Sequence, residues 1–165
     1  MTMVELAFAE PPDLQTTGPI IYLADNLDAK DMLGYCIDTQ GRGQTERIQL
    51  HSCKPDTDNP MNRDVLFSLN TTTGRIEHAQ YEGFCLAVNT GNSETALGLP
   101  ACSDAESQQF VFNTATGEIH PAKDTSLCLS ASADSKTAGP YMSRPLNIET
   151  CSSVDAKLKT FIIQD

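Results

Sequence analysis

Residues 35–53 read Tyr35-Cys36-Ile37-Asp38-Thr39-Gln40-Gly41-Arg42-Gly43-Gln44-Thr45-Glu46-Arg47-Ile48-Gln49-Leu50-His51-Ser52-Cys53. A short apolar run passes through Gly41-Arg42-Gly43 and returns through Ile48-Gln49-Leu50-His51, where apolar and polar residues alternate with period two, the pattern of a β-hairpin with a glycine-permitted reversal. If Cys36 and Cys53 are joined as a directly opposed cross-strand pair, Asp38 faces His51, with Gln49 two residues along on the same face. Ile48 and Leu50 then point the other way. A carboxylate, an aromatic ring and a carboxamide on one face suit a sugar: the carboxylate accepts from vicinal hydroxyls, the ring lies against the C–H face, and the carboxamide adds or fixes a contact. With Asp38 opposite His51, a protonated imidazole would draw the carboxylate away from sugar, so binding is expected to weaken as pH falls through about 6.5.

The hairpin is one of several copies. Residues 67–86 and 110–129 superpose at an offset of 43, with Phe67 on Phe110, Thr73-Gly74 on Thr116-Gly117, and Cys85-Leu86 on Cys128-Leu129. An earlier copy opens at Thr17-Gly18-Pro19-Ile20 and reaches Cys36-Ile37, so there are three copies with two cysteines each. Six cysteines allow fifteen pairings. A scheme that respects the repeat joins Cys36 to Cys53, Cys85 to Cys102 and Cys128 to Cys151, each closing a hairpin. Phe67, Phe110 and Phe161 recur after the second cysteine of each copy and are expected core anchors. Short β-like runs between Gly, Asn-Thr and Asp turns predict an all-β fold of about twelve strands, with a helical turn at most within 101–109. Three hairpin-rich units that share one core close on one another and so remove their exposed edges.

The bulk numbers agree with one domain: 165 residues, 39% hydrophobic, with no apolar run long enough to span a membrane. A net charge of −11 argues against nucleic acid and other polyanions as partners. An even set of cysteines without Cys-x-x-Cys spacing favours structural disulfides and a secreted, extracellular or periplasmic location. Residues 1–13, with Pro11-Pro12, read as a flexible segment before a domain spanning 14–165. Ala7-Phe8-Ala9 has the small-x-small form of a signal-peptidase site, although the run before it is short and carries Glu5.

Over residues 14–165 the chain resembles the ricin B-chain type (R-type) lectins, which have the β-trefoil fold. Cys36-Ile37-Asp38 and Ile48-Gln49-Leu50-His51-Ser52-Cys53 are similar to the family's two-strand signature. The Gln-x-Trp core motif is eroded: Gln108-Gln109-Phe110 keeps the glutamine, whereas Val65-Leu66-Phe67 and Lys159-Thr160-Phe161 lose it, and the chain has no Trp. The resemblance implies a β-trefoil and a carbohydrate-binding protein for galactose or N-acetylgalactosamine ends, with one main site formed by Asp38, Gln49, His51 and Asp64. Asp64 stands where the family has Asn. In the second copy the site positions are Ala87, Gly98 and Pro100, which offer no polar side chain. In the third, Ser130 is expected opposite Glu149 with Asn147 alongside.

The competing expectation is a trefoil that binds a protein, as a protease inhibitor or the receptor-binding part of a toxin. No paired carboxylates, metal-ligand spacing or nucleophile arrangement indicates an enzyme, and neither a cofactor nor a metal is expected. His78 and His120 do not align in the repeat and are expected on the surface. Glycans are the expected partners, and the oligomeric state is left open.

Overall fold

The computed structural model describes residues 10–40, 47–89 and 96–165. The glycine reversal expected at residues 41–43 therefore lies outside the described residues, as does most of the 1–13 segment. Of the latter's tail, the Glu10 carbonyl accepts from the Asn26 amide and the Asp13 amide donates to the Met32 carbonyl, at 2.7 and 2.8 Å.

The described residues form thirteen strands joined by loops and short 3₁₀ turns. The first copy contains β1 (Ile20–Leu23), β2 (Tyr35–Thr39), β3 (Ile48–Ser52) and β4 (Phe67–Leu69). The second contains β5 (Ile76–His78), β6 (Ala87–Val88), β7 (Leu97–Gly98) and β8 (Phe110–Asn113). The third contains β9 (Glu118–Pro121), β10 (Leu127–Ala131), β11 (Lys136–Ala138), β12 (Tyr141–Thr150) and β13 (Phe161–Gln164).

Pairing follows the repeat. β4 with β5 and β8 with β9 join successive copies, and β1 with β13 joins the first copy to the last. The hairpins β2–β3, β6–β7 and β10–β12 lie within copies. All are antiparallel, and this is the β-trefoil arrangement: no copy buries its own apolar face, and three together enclose one core. Phe67, Phe110 and Phe161 are at most 4% exposed and belong to that core, with Ile21, Leu50 and Ile119.

A repeated turn places two of the three phenylalanines. Asn70 Oδ1 accepts from the Thr72 and Thr73 amides, as Asn113 Oδ1 does from Ala115 and Thr116. The chain then passes through Gly74 and Gly117, both at φ +76°, and their carbonyls accept from the amides of Phe110 and Phe161. A Cβ on Gly74 would sit 3.0 Å from the Phe110 carbonyl oxygen, so glycine is needed for both conformation and approach.

All three expected disulfides are present, with Cα separations of 4.9–5.1 Å. They are diagonal cross-links, not directly opposed pairs. The amides of Cys53, Cys102 and Cys151 bond to the carbonyls of Gly34, Gly83 and Ser126, each two residues before the first cysteine of the hairpin. The expected register is thereby corrected by two residues. Asp38 faces Gln49, and His51 faces Cys36; Ser130 faces Asn147, and Glu149 faces Cys128. A slip of two leaves every side chain on its expected face.

His78 and His120 are buried, at 2% and 8% exposure, contrary to expectation. His78 packs edge-on against Phe67 and beside Tyr81. Its Nδ1 accepts from the Gln80 and Tyr81 amides, which leaves Nε2–H to donate to the Asp64 carbonyl at 3.1 Å. Burial lowers its pKa to about 4 and keeps it neutral.

Candidate functional site

β2 is buried on both faces, although an exposed hairpin would leave one face wet. The second face packs against the first copy's own 60–65 turn, where Cys36 lies with Cys53 and Val65, while the third copy extends the sheet beyond β3. β12 is long enough to pair with β10 through its C-terminal half and with β3 through its N-terminal half, where Ser143 faces His51 and Pro145 faces Gln49. β11 adds outside β12, with Lys136 opposite Ser143. Because paired residues share a face, one row runs across four strands, Lys136, Ser143, His51 and Cys36, and another across three, Pro145, Gln49 and Asp38. Gly139, at φ +60°, opens the two-residue turn that folds β11 back onto β12.

A cleft of about 450 Å³ lies on this face, lined by Asp38, Gln40, Gln49, His51 and Lys54 from the first copy and by residues 136–138 and Ser143 from the third. Asp38 is 1% exposed. Its Oδ2 accepts from Gln49 Nε2 at 2.9 Å, and its buried Oδ1 meets no donor among the described residues. Burial first, and then the neighbouring Asp64 charge, push the Asp38 pKa up to about 8, against the opposing pull of Lys54 and Gln49. Both effects favour the protonated carboxyl over the carboxylate.

His51 is 7% exposed and sits edge-on to Tyr141, with centroids 5.4 Å apart. Its Nδ1 lies 2.9 Å from the Ser52 carbonyl, which requires a proton on Nδ1 and makes Nε2 the acceptor in the neutral ring. Burial, mainly, lowers its pKa.

Asp64 closes the 3₁₀ turn Pro60–Val65, whose N-terminus Asn59 caps through a bond from the Met61 amide. It is not part of the cleft lining. Both of its carboxylate oxygens are 2.6 Å from Lys54 Nζ, in a pair that is almost fully buried. Asp64 thus stands behind Lys54, and the structure brings Asp38, Gln49, His51 and Lys54 to the cleft itself. Sequence reading missed Lys54, Lys136 and Ser143. The hairpin that carries the last two had a readable signal in Gly139-Pro140 between two short β-like runs, but nothing local placed it on the first copy.

The other two copies offer less. Ala87 and Gly98 face each other across β6–β7. Ser130 is fully buried, and Asn147 Nδ2 is committed to Ser132 Oγ at 2.8 Å. Two clusters have the composition of metal sites, His120 with Cys128 and Cys151, and Glu77 with Cys85 and Cys102. Every sulfur in them is consumed by a disulfide, so neither supplies a thiolate.

The family model of the ricin-type beta-trefoil lectin domain matches residues 27–159. Among solved structures, the chain is similar to the C-half of the earthworm R-type lectin in complex with GalNAc, at 14% identity and a TM-score of 0.60, over 90% of this chain and 98% of that one. It is also similar to the β-trefoil lectin of the Vibrio vulnificus hemolysin/cytolysin with N-acetyl-D-lactosamine bound, at 11% identity and 0.60, over 89% and 93%. At such identities the likeness is one of fold. No curated protein matches the chain in sequence. The family match covers most of the 165 residues and coincides with the three-copy topology and disulfides, so the chain belongs to the ricin-type β-trefoil lectin domain family.

Proposed function

We propose that this protein is a non-catalytic carbohydrate-binding protein with one principal site, in the first copy, for glycans ending in galactose or N-acetylgalactosamine. The observation that carries the reading is Asp38: a buried carboxyl on the cleft floor, one oxygen held by Gln49 and the other without a donor. An unmet buried polar atom is costly, and a sugar hydroxyl, which can donate or accept, supplies the missing bond. Gln49 orients the carboxyl. His51 forms a wall and offers Nε2 to a second hydroxyl, while Asp64 acts through Lys54, fixing the buried ammonium. The lectin relatives solved with GalNAc and N-acetyl-D-lactosamine support this choice of sugar. The domain is assigned to 14–165, and three disulfides suit an oxidising, extracellular or periplasmic setting.

Titration calorimetry with N-acetylgalactosamine and lactose tests the assignment. One weak site per chain is expected, near the millimolar affinity that corresponds to about 4 kcal/mol. Asp38→Ala is expected to abolish it and Ser130→Ala to leave it unchanged. If Asp38→Ala binds like the parent while Ser130→Ala does not, the function belongs to the third copy.

A further inference from the structure

The cleft continues. A second cavity of about 240 Å³ lies beside the first, and the two share Gln40, Gln49 and Lys136 as their common wall. Its far side is formed by Ala96 and Leu97 of the second copy and by Asn147 of the third, so all three copies border it. Asp38 and Lys136 stand on β2 and β11, separated by three strand spacings, about 14 Å at the backbone. One hexose seated on Asp38 leaves Lys136 to a neighbouring unit.

The two lysines of the groove differ in one respect. Lys54 is neutralised by Asp64 at 2.6 Å. Lys136 is exposed and has no carboxylate partner among the described residues. Its row neighbours, Ser143 and His51, carry no negative charge. The chain's net charge of −11 disfavours anions over the surface at large, so an ammonium without a carboxylate partner among the described residues marks the junction of the two cavities as the local place for an anionic group. Lysine on an edge strand also serves to block sheet-to-sheet association, and the experiment separates that role from this one.

We infer that the first-copy cleft is one end of a groove for an acidic oligosaccharide, in which Lys136 meets a carboxylate or sulfate on the unit next to the one held by Asp38. This rests on the Asp38 site proposed above. The test compares lactose, sialylated lactose and sulfated lactose on the parent, Lys136→Gln and Asp38→Ala proteins, at low and high salt. On the parent at low salt, at least one acidic ligand is expected to bind up to about fivefold tighter than lactose, the range of a partly exposed ion pair. Raising the salt shrinks that preference, and Lys136→Gln reduces the acidic-to-neutral ratio to about one. The acidic ligand that keeps the preference identifies the anion as carboxylate or sulfate. The inference is overturned if neither acidic ligand exceeds lactose, or if the ratio survives Lys136→Gln. If lactose and both acidic ligands fail to bind the parent, or bind Asp38→Ala equally well, the Asp38 site itself is refuted.

Discussion

Two carboxyl groups, Asp38 and Asp64, are buried around a single ammonium, Lys54, and this crowding makes both pH and substitution informative at the residue scale. The folded pKa of Asp38, about 8, exceeds its unfolded value near 3.9, so the folded chain binds the proton more tightly. Its contribution to stability is complete below about pH 4 and is lost as pH rises towards 8. Asp38→Asn removes that slope: chemical denaturation is expected to show the variant gaining on the parent between pH 4 and 8. Sugar hydroxyls stabilise the carboxylate, so binding expels a proton, and affinity for a neutral glycan is expected to rise with pH up to about 8. Calorimetry in buffers of different ionisation enthalpy reads that proton directly. The separate weakening expected from His51 near pH 6.5 moves to lower pH, because His51 is buried and Asp38 faces Gln49 instead, so the Asp38 proton governs the profile at neutral pH. Lys54→Met leaves Asp64 as an uncompensated buried charge, expected to cost about 3–5 kcal/mol in urea unfolding. Asp38 was readable from its place in the motif, but the Lys54 ion pair was not, since it depends on how the 54–64 loop folds back.

At the scale of elements, the recurring Asn-to-Gly turn and the β11–β12 hairpin show opposite degrees of legibility. The turn was visible as a repeated Thr-Gly pair, and its two occurrences deliver Phe110 and Phe161 to the core. Gly117 stands at φ +76°, and a Cβ there would meet Thr160 Cγ2 at 2.8 Å and the Phe161 carbonyl oxygen at 3.0 Å. Gly117→Ala is expected to destabilise the fold by about 1–2 kcal/mol or more, measured as a shift in the denaturation midpoint without loss of the disulfides. The hairpin adds no repeat signature, and its pairing joins Ser143 to His51, far apart in sequence. Among the eroded core motifs, Gln108 bonds the Ser103 amide and the Ala101 carbonyl, and Lys159 replaces part of that role by donating to the Cys151 carbonyl at 2.7 Å. Val65 fills the same place in the first copy with apolar volume alone.

For the whole molecule, closure is what the copies have in common and the site is where they differ. β1 and β13 join the two ends of the barrel through four residue pairs. The Cys85–Cys102 bridge closes a loop with a sequence separation of 17, and its removal by a double Cys→Ala change is expected to cost about 3 kcal/mol. Because it lies outside the Asp38 cleft, sugar affinity at low temperature is expected to persist while the thermal midpoint falls. A single site per chain gives a monovalent monomer, and two equivalent sites found by titration of a monomer would contradict the assignment.

The three copies, the intra-copy disulfides, the phenylalanine anchors and the face on which Asp38, Gln49 and His51 lie were all determined by sequence alone. Each depends on spacing or on the period-two alternation of a strand, and alternation survives a register slip of two residues. Tertiary structure decided which residues stand opposite, how deeply Asp38 is buried, that Asp64 is spent on Lys54, and that Lys136 and Ser143 border the cleft. The register and the Lys54–Asp64 pair are set within the first copy, whereas Lys136 and Ser143 reach the cleft because β12 crosses from its own copy onto β3. Contacts between residues some ninety positions apart leave no local pattern to read, and their cost and gain exist only once the core has closed.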